Sequence, residues 1–154
     1  MRPLLPILIF LERNMAELYD IRRSLEGGAA ALAAKNPDPA MLRKLEQCQQ
    51  TMKASFAAAT PDEQLFYTKA DQAFHQLIFQ AANNIYFQKV YQTISSLLDA
   101  GIEKTSQTLV GRKASLAEHS AIIEAIREQD PERTEQLMLA HIANAKAFYL
   151  RQLK

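Results

Sequence analysis

Three proline-led breaks constrain this chain more than any other feature: NPDP at 36–39, TPDEQ at 60–64 and QDPER at 129–133. Proline is tolerated at the first position of a helix, where its missing N–H would have found no partner anyway. Thr60 is therefore an N-cap, Pro61 the first helical residue, and Glu63 the reciprocal partner that completes a capping box. Asp130 and Pro131 take the same roles in the third break. Between the breaks there are only four glycines and no recurrent short β-branched runs, while Ala, Leu, Gln, Glu, Lys and Arg dominate, as helices prefer. The chain reads as all-α. Six helices are predicted, over 10–35, 39–58, 61–81, 84–106, 112–128 and 131–153, and their short connections favour antiparallel neighbours in a bundle. The fourth break is the least sharply written: Gly101 lies inside a helical pattern, and TSQTLVGRK at 105–113 carries the loop signal.

At 154 residues the chain has the size of one domain with a real core. Its 18 Lys and Arg against 17 Asp and Glu give a net charge of +1, which argues against a surface built to neutralise the phosphates of a duplex. The single cysteine, Cys48, excludes an internal disulfide, reads as a small apolar residue, and fits a cytoplasmic protein. MRPLLPILIFLERN at the N-terminus is short, interrupted by Pro3 and Pro6, and followed by no small-residue cleavage site. It reads as a linker or packing segment, residues 1–14, leading into a body at 15–154. No apolar run approaches the roughly 20 residues needed to span a bilayer, so no membrane partner is expected.

The histidines carry the functional signal. There are three, His75, His119 and His141, and each lies on an apolar helical stripe. In KADQAFHQLIFQAANN, residues 69–84, Asp71 and His75 stand one turn apart beside Phe74 and Ile78. His119 shares a face with Leu116, Ile123 and Ile126; His141 shares one with Leu137, Ala145 and Phe148. A lone histidine on such a face is ordinarily a core residue whose ring nitrogens find a carbonyl or water. Three inward imidazoles and one inward carboxylate would need several separate hydrogen-bond solutions, whereas one divalent cation satisfies all four. Imidazole nitrogen and carboxylate oxygen suit zinc first, and also nickel, manganese or iron. The paired aromatics Phe66, Tyr67, Tyr86 and Phe87 read first as core and second as pocket wall.

The succession of R-x-x-L-E (Arg22, Leu25, Glu26), D-x-x-F-H (Asp71, Phe74, His75), AANN ending at Asn84, EHSAIIEAI with His119 and QDPERTEQLMLAHI with His141 resembles the C-terminal ligand-binding domain of GntR-family transcriptional regulators. More closely, it resembles the metal-binding FCD form of the FadR subfamily. The resemblance runs from about Leu4 to the end. It implies a bundle of six to seven helices, a divalent metal held by Asp71, His75, His119 and His141, and a small organic acid effector whose carboxylate completes the metal shell. It also implies a homodimer and allosteric control of DNA binding through an N-terminal winged helix-turn-helix. That half is expected to be absent from this chain, which would then not bind operator DNA by itself.

Arg22, in the R-x-x-L-E position, is the candidate second anchor for the effector carboxylate, since a guanidinium binds carboxylates in bidentate fashion. Its alternative is a pair with Glu26 at i+4. Asn84 is either an effector contact or the N-cap of the fourth helix. A metalloenzyme acting on a small carboxylate through the same site of three histidines and one aspartate is the competing function. It would need a further acid or base near the ion, and the stripes offer no spare inward carboxylate, with Glu118 expected to point away. Sensing is therefore favoured over catalysis.

Overall fold

A computed structural model describes residues 4–57, 60–106 and 108–153. Six α-helices follow one another: α1 (Leu4–Lys35), α2 (Pro39–Ala54), α3 (Pro61–Ala81), α4 (Ile85–Ser106), α5 (Leu109–Arg127) and α6 (Pro131–Gln152), with no strand among the described residues. Pro39, Pro61 and Pro131 each stand at the first helical positions. Asp38, Thr60 and Asp130 cap through their side chains, and at Thr60 both halves of the capping box are made.

The boundaries differ from the predicted ones where a local signal competes. α1 begins at Leu4 rather than near residue 10, because Pro6 falls in the first turn, where no intrahelical N–H bond is lost. The helix bends at Asn14, whose φ of −119° and ψ of 17° are not helical. α2 stops at Ala54, and its predicted end at 58 lies outside the described residues. α5 starts three residues early because Thr108 is an N-cap that accepts from Gly111 N. The turns after α3 and α5 are alike: a left-handed residue, Asn83 (φ 49°) or Gln129 (φ 56°), precedes the N-capping Asn84 or Asp130.

α1 runs through the assembly, packing on α6, α3, α4 and α5. Its approach to α6 depends on Gly27, where a Cβ would fall 2.7 Å from Leu139 Cδ2. Tyr19 donates to Gly101 O at 2.9 Å, tying α1 to α4 through the glycine that blurs the helical pattern there. The core is continuous and includes Tyr19, Leu45, Tyr67, Phe74, Phe79, Leu98, Ile122, Ile126 and Met138. Of the four paired aromatics, Tyr67 is buried and Phe87 half-buried, but Phe66 and Tyr86 are exposed. Adjacent residues on a helix point about 100° apart, so both members of a pair cannot face one core.

Candidate metal centre

Three helices converge where the histidine stripes meet. α3 supplies Asp71 and His75 from successive turns, α5 supplies His119, and α6 supplies His141; all four side chains are at most 4% exposed. His119 Nε2 lies 3.2 Å from His141 Nε2, which lies 3.4 Å from His75 Nε2. Asp71 Oδ1 is 3.4 Å from His75 Nε2 and 3.5 Å from His119 Nε2. The three histidines present ligand atoms that all lie within 4.8 Å of one another. An ion ~2.1 Å from each donor would space neighbouring donors by ~3.0 Å in octahedral and ~3.4 Å in tetrahedral coordination. The four contacts, at 3.2–3.5 Å, lie in or close to that range.

The protonation pattern fits a cation at the point of convergence. His75 Nδ1 is hydrogen-bonded to Glu26 Oε1. Burial alone would raise the Glu26 carboxyl, but Arg22 and His75 outweigh it and hold the group at about 2. Glu26 is thus a carboxylate that can only accept, so His75 Nδ1 carries the hydrogen and its Nε2 is turned to the centre. His141 Nδ1 meets Glu118 Oε2 at 3.1 Å, which fixes the second imidazole in the same sense. His119 is held instead by stacking on Phe74, with ring centroids 4.1 Å apart, and its Nδ1 is buried without a hydrogen-bond partner.

Asp71 Oδ1 is also buried and unpartnered. Three imidazole Nε2 atoms and a carboxylate oxygen therefore face one another at 3.2–3.5 Å, an arrangement that a cation among them would satisfy. Burial would lower the His75 imidazole, but the charge of Glu26, the neighbouring Asp71 carboxylate and the hydrogen bond to Glu26 raise it to about 9. His119 is pushed the other way, well below its usual value, by burial first and then by His141, His75 and Arg22. It is a neutral nitrogen donor.

Around this centre the sequence reading needs two corrections. Inward carboxylates besides Asp71 do exist: Glu26 is fully buried and holds His75, and Glu118 turns to His141 rather than away. Neither contact has a local signal, because each crosses between helices whose relative rotation periodicity does not encode. Arg22 makes the i+4 pair with Glu26. Its Nε donates to Glu26 Oε2 at 2.8 Å, and the side chain also lines a cavity of about 10 Å³ with Asp71, His75, Ser115 and His141. Asn84 sits elsewhere, past the end of α3; its Oδ1 accepts from Tyr86 N and Phe87 N, so the oxygen is occupied in capping α4.

The sequence matches the FCD domain over residues 17–144. The chain belongs to the FCD family. This FCD domain is 29% identical over 150 residues to the HTH-type transcriptional regulator LutR of Bacillus subtilis (strain 168), a match covering 94% of this chain and 66% of that protein. It is 30% identical over 137 residues to the galactonate operon transcriptional repressor of Escherichia coli (strain K12), covering 86% and 56%. Among solved structures it superimposes on Streptococcus agalactiae GntR with a TM-score of 0.71 at 26% identity, over 88% of this chain and 59% of that one. The relatives are GntR-family regulators, and this FCD domain spans somewhat more than half of their lengths. No helix of the described residues is long and apolar enough to cross a membrane.

Proposed function

We propose that this FCD domain is the sensor of a transcriptional regulator: it binds one divalent metal ion through Asp71, His75, His119 and His141, and through that ion a small organic acid. The observation that carries the reading is that His75 and His119 each bring Nε2 to within 3.5 Å of the unpartnered Asp71 Oδ1, while His141 Nε2 lies 3.2 Å and 3.4 Å from the Nε2 atoms of His119 and His75. Zinc is the first candidate for a site of three nitrogens and one oxygen, with nickel, manganese and iron compatible with the same donors. Bound there, the ion would supply a Lewis-acidic position for a carboxylate oxygen. Arg22, the buried guanidinium on the adjoining cavity, would add the matching positive charge.

The assignment is to sensing rather than turnover. Glu26 and Glu118, the carboxylates that border the centre, are each committed to a histidine nitrogen, and Glu26 is also paired with Arg22. Residues 15–154 would form the effector-binding body and residues 1–14 a connecting segment, a division supported by the bend at Asn14. In a full-length homodimeric regulator the signal would pass to a winged helix-turn-helix that binds DNA. The physical basis is that one ion ties α3, α5 and α6 together, so a ligand on it can bias their packing.

Thermal denaturation with small carboxylic acids, with and without a chelator, tests the reading. Stabilisation that requires the metal is expected. An acid that stabilises the chelated protein equally well would place the effector site away from the ion, and chemical conversion of the acid would favour the metalloenzyme.

A further inference from the structure

Among the described residues, three buried side-chain atoms are without a hydrogen-bond partner: Asp71 Oδ1, His119 Nδ1 and Gln49 Oε1. Asp71 Oδ1 faces the centre, where an ion would satisfy it. The other two are complementary. With Nε2 turned to the ion, a neutral His119 carries its hydrogen on Nδ1 and is a donor there, whereas Gln49 Oε1 can only accept. Both side chains are at most 4% exposed, so bulk water satisfies neither. Gln49 lies on α2, outside the three helices that supply the ligands, and it grips the turn of α5 that carries His119. Its Nε2 donates to Leu116 O and to Ser120 Oγ, both at 2.7 Å. A carbonyl accepts and never donates, so the contact with Leu116 fixes which end of the amide is nitrogen and which is Oε1. His119 follows Leu116 by one turn and directly precedes Ser120, so its ring leaves α5 within a turn of that amide.

We infer that Gln49 is the positioning residue for His119: a single buried water joins its Oε1 to the His119 Nδ1–H and fixes the ring with Nε2 toward the ion. The inference rests on the metal reading above and deepens it. A water that accepts from one orphaned group and donates to another is the usual solution for buried polar atoms that do not bond directly. Stacking on Phe74 sets the plane of the His119 ring, but a half-turn about Cβ–Cγ keeps that plane and exchanges Nε2 for a carbon. Only a hydrogen bond distinguishes the two orientations. With Gln49 in this role each histidine has its own outer partner, as Glu26 is for His75 and Glu118 for His141, and such partners set both the tautomer and the aim of a ligating imidazole.

The test is imidazole NMR of the zinc-loaded protein labelled with nitrogen-15 histidine, on the parent and on the Gln49→Met and Gln49→Glu variants, with zinc affinity measured alongside. In the parent the His119 Nδ1–H signal should be protected from exchange with solvent and shifted downfield, as a hydrogen-bonded imidazole requires. Gln49→Met keeps the length of the side chain and removes the acceptor. The His119 signal should then move upfield and exchange faster, with those of His75 and His141 unchanged, and zinc affinity should fall about tenfold or more. Gln49→Glu restores an acceptor and should recover both. A role confined to holding Leu116 would weaken zinc binding alike in the two variants and leave the His119 Nδ1–H signal in place, which overturns the inference. A parent whose His119 Nδ1–H exchanges freely overturns it without any variant. If the parent binds no zinc, the metal reading itself falls and this inference with it.

Discussion

Glu26 on α1 accepts a hydrogen bond from His75 Nδ1 on α3, 49 residues away in sequence, with both side chains buried. The contact fixes the tautomer and the ring orientation that aim His75 Nε2 at Asp71 Oδ1 and His141 Nε2. Glu26→Gln keeps the size but loses the charge and puts an amide N–H where an acceptor is needed. Removing such an orienting partner lowers metal affinity by about 10–100-fold. Competition with a chromogenic zinc chelator should show that loss, and an affinity equal to the parent's would mean that Glu26 does not position the ligand.

Arg22 answers to the other oxygen of the same carboxylate, at 2.8 Å and 1% exposed. Arg22→Met would leave Glu26 buried with only His75 to balance it. Breaking a buried pair in this way costs about 3–5 kcal/mol, and the low end is expected because His75 stays. Urea denaturation measures the loss. Metal stoichiometry should not change, since Arg22 is no ligand, whereas the stabilisation by small acids should shrink because the cavity cation has gone.

Gln129 holds a left-handed φ of 56° between α5 and α6 without being glycine. A non-glycine residue in that region carries roughly 1 kcal/mol of strain. Gln129→Gly is expected to raise stability by about 0.5–1 kcal/mol, after glycine's greater freedom in the unfolded chain is set against the relief. A fall in melting temperature would show that the exposed Gln129 side chain makes contacts worth more than the strain.

These positions mark how far the chain could be read from its residues. Helix starts were legible because a cap and its proline act within four residues: Thr60, Pro61 and Glu63 write α3 unaided. The inward face shared by Asp71 and His75 was legible from the 3.6-residue period. The contacts of Glu26 and Glu118 were not, because which flank of a ligand helix meets a neighbour depends on interhelical rotation set by the whole core. Close packing at Gly27 fixes α1 against α6, and no local pattern encodes that register. Phe66 and Tyr86 were misread for a related reason: composition marks them as core residues, but each is the member of its pair turned outward.

The central claim is that His75, His119 and His141 meet with Asp71 on one ion. Metal analysis of protein purified without a histidine tag should find about one divalent ion per chain, and the His119→Ala, His141→Ala double variant should carry none, since it loses two of the three nitrogens. Undiminished metal in a folded double variant would contradict the account.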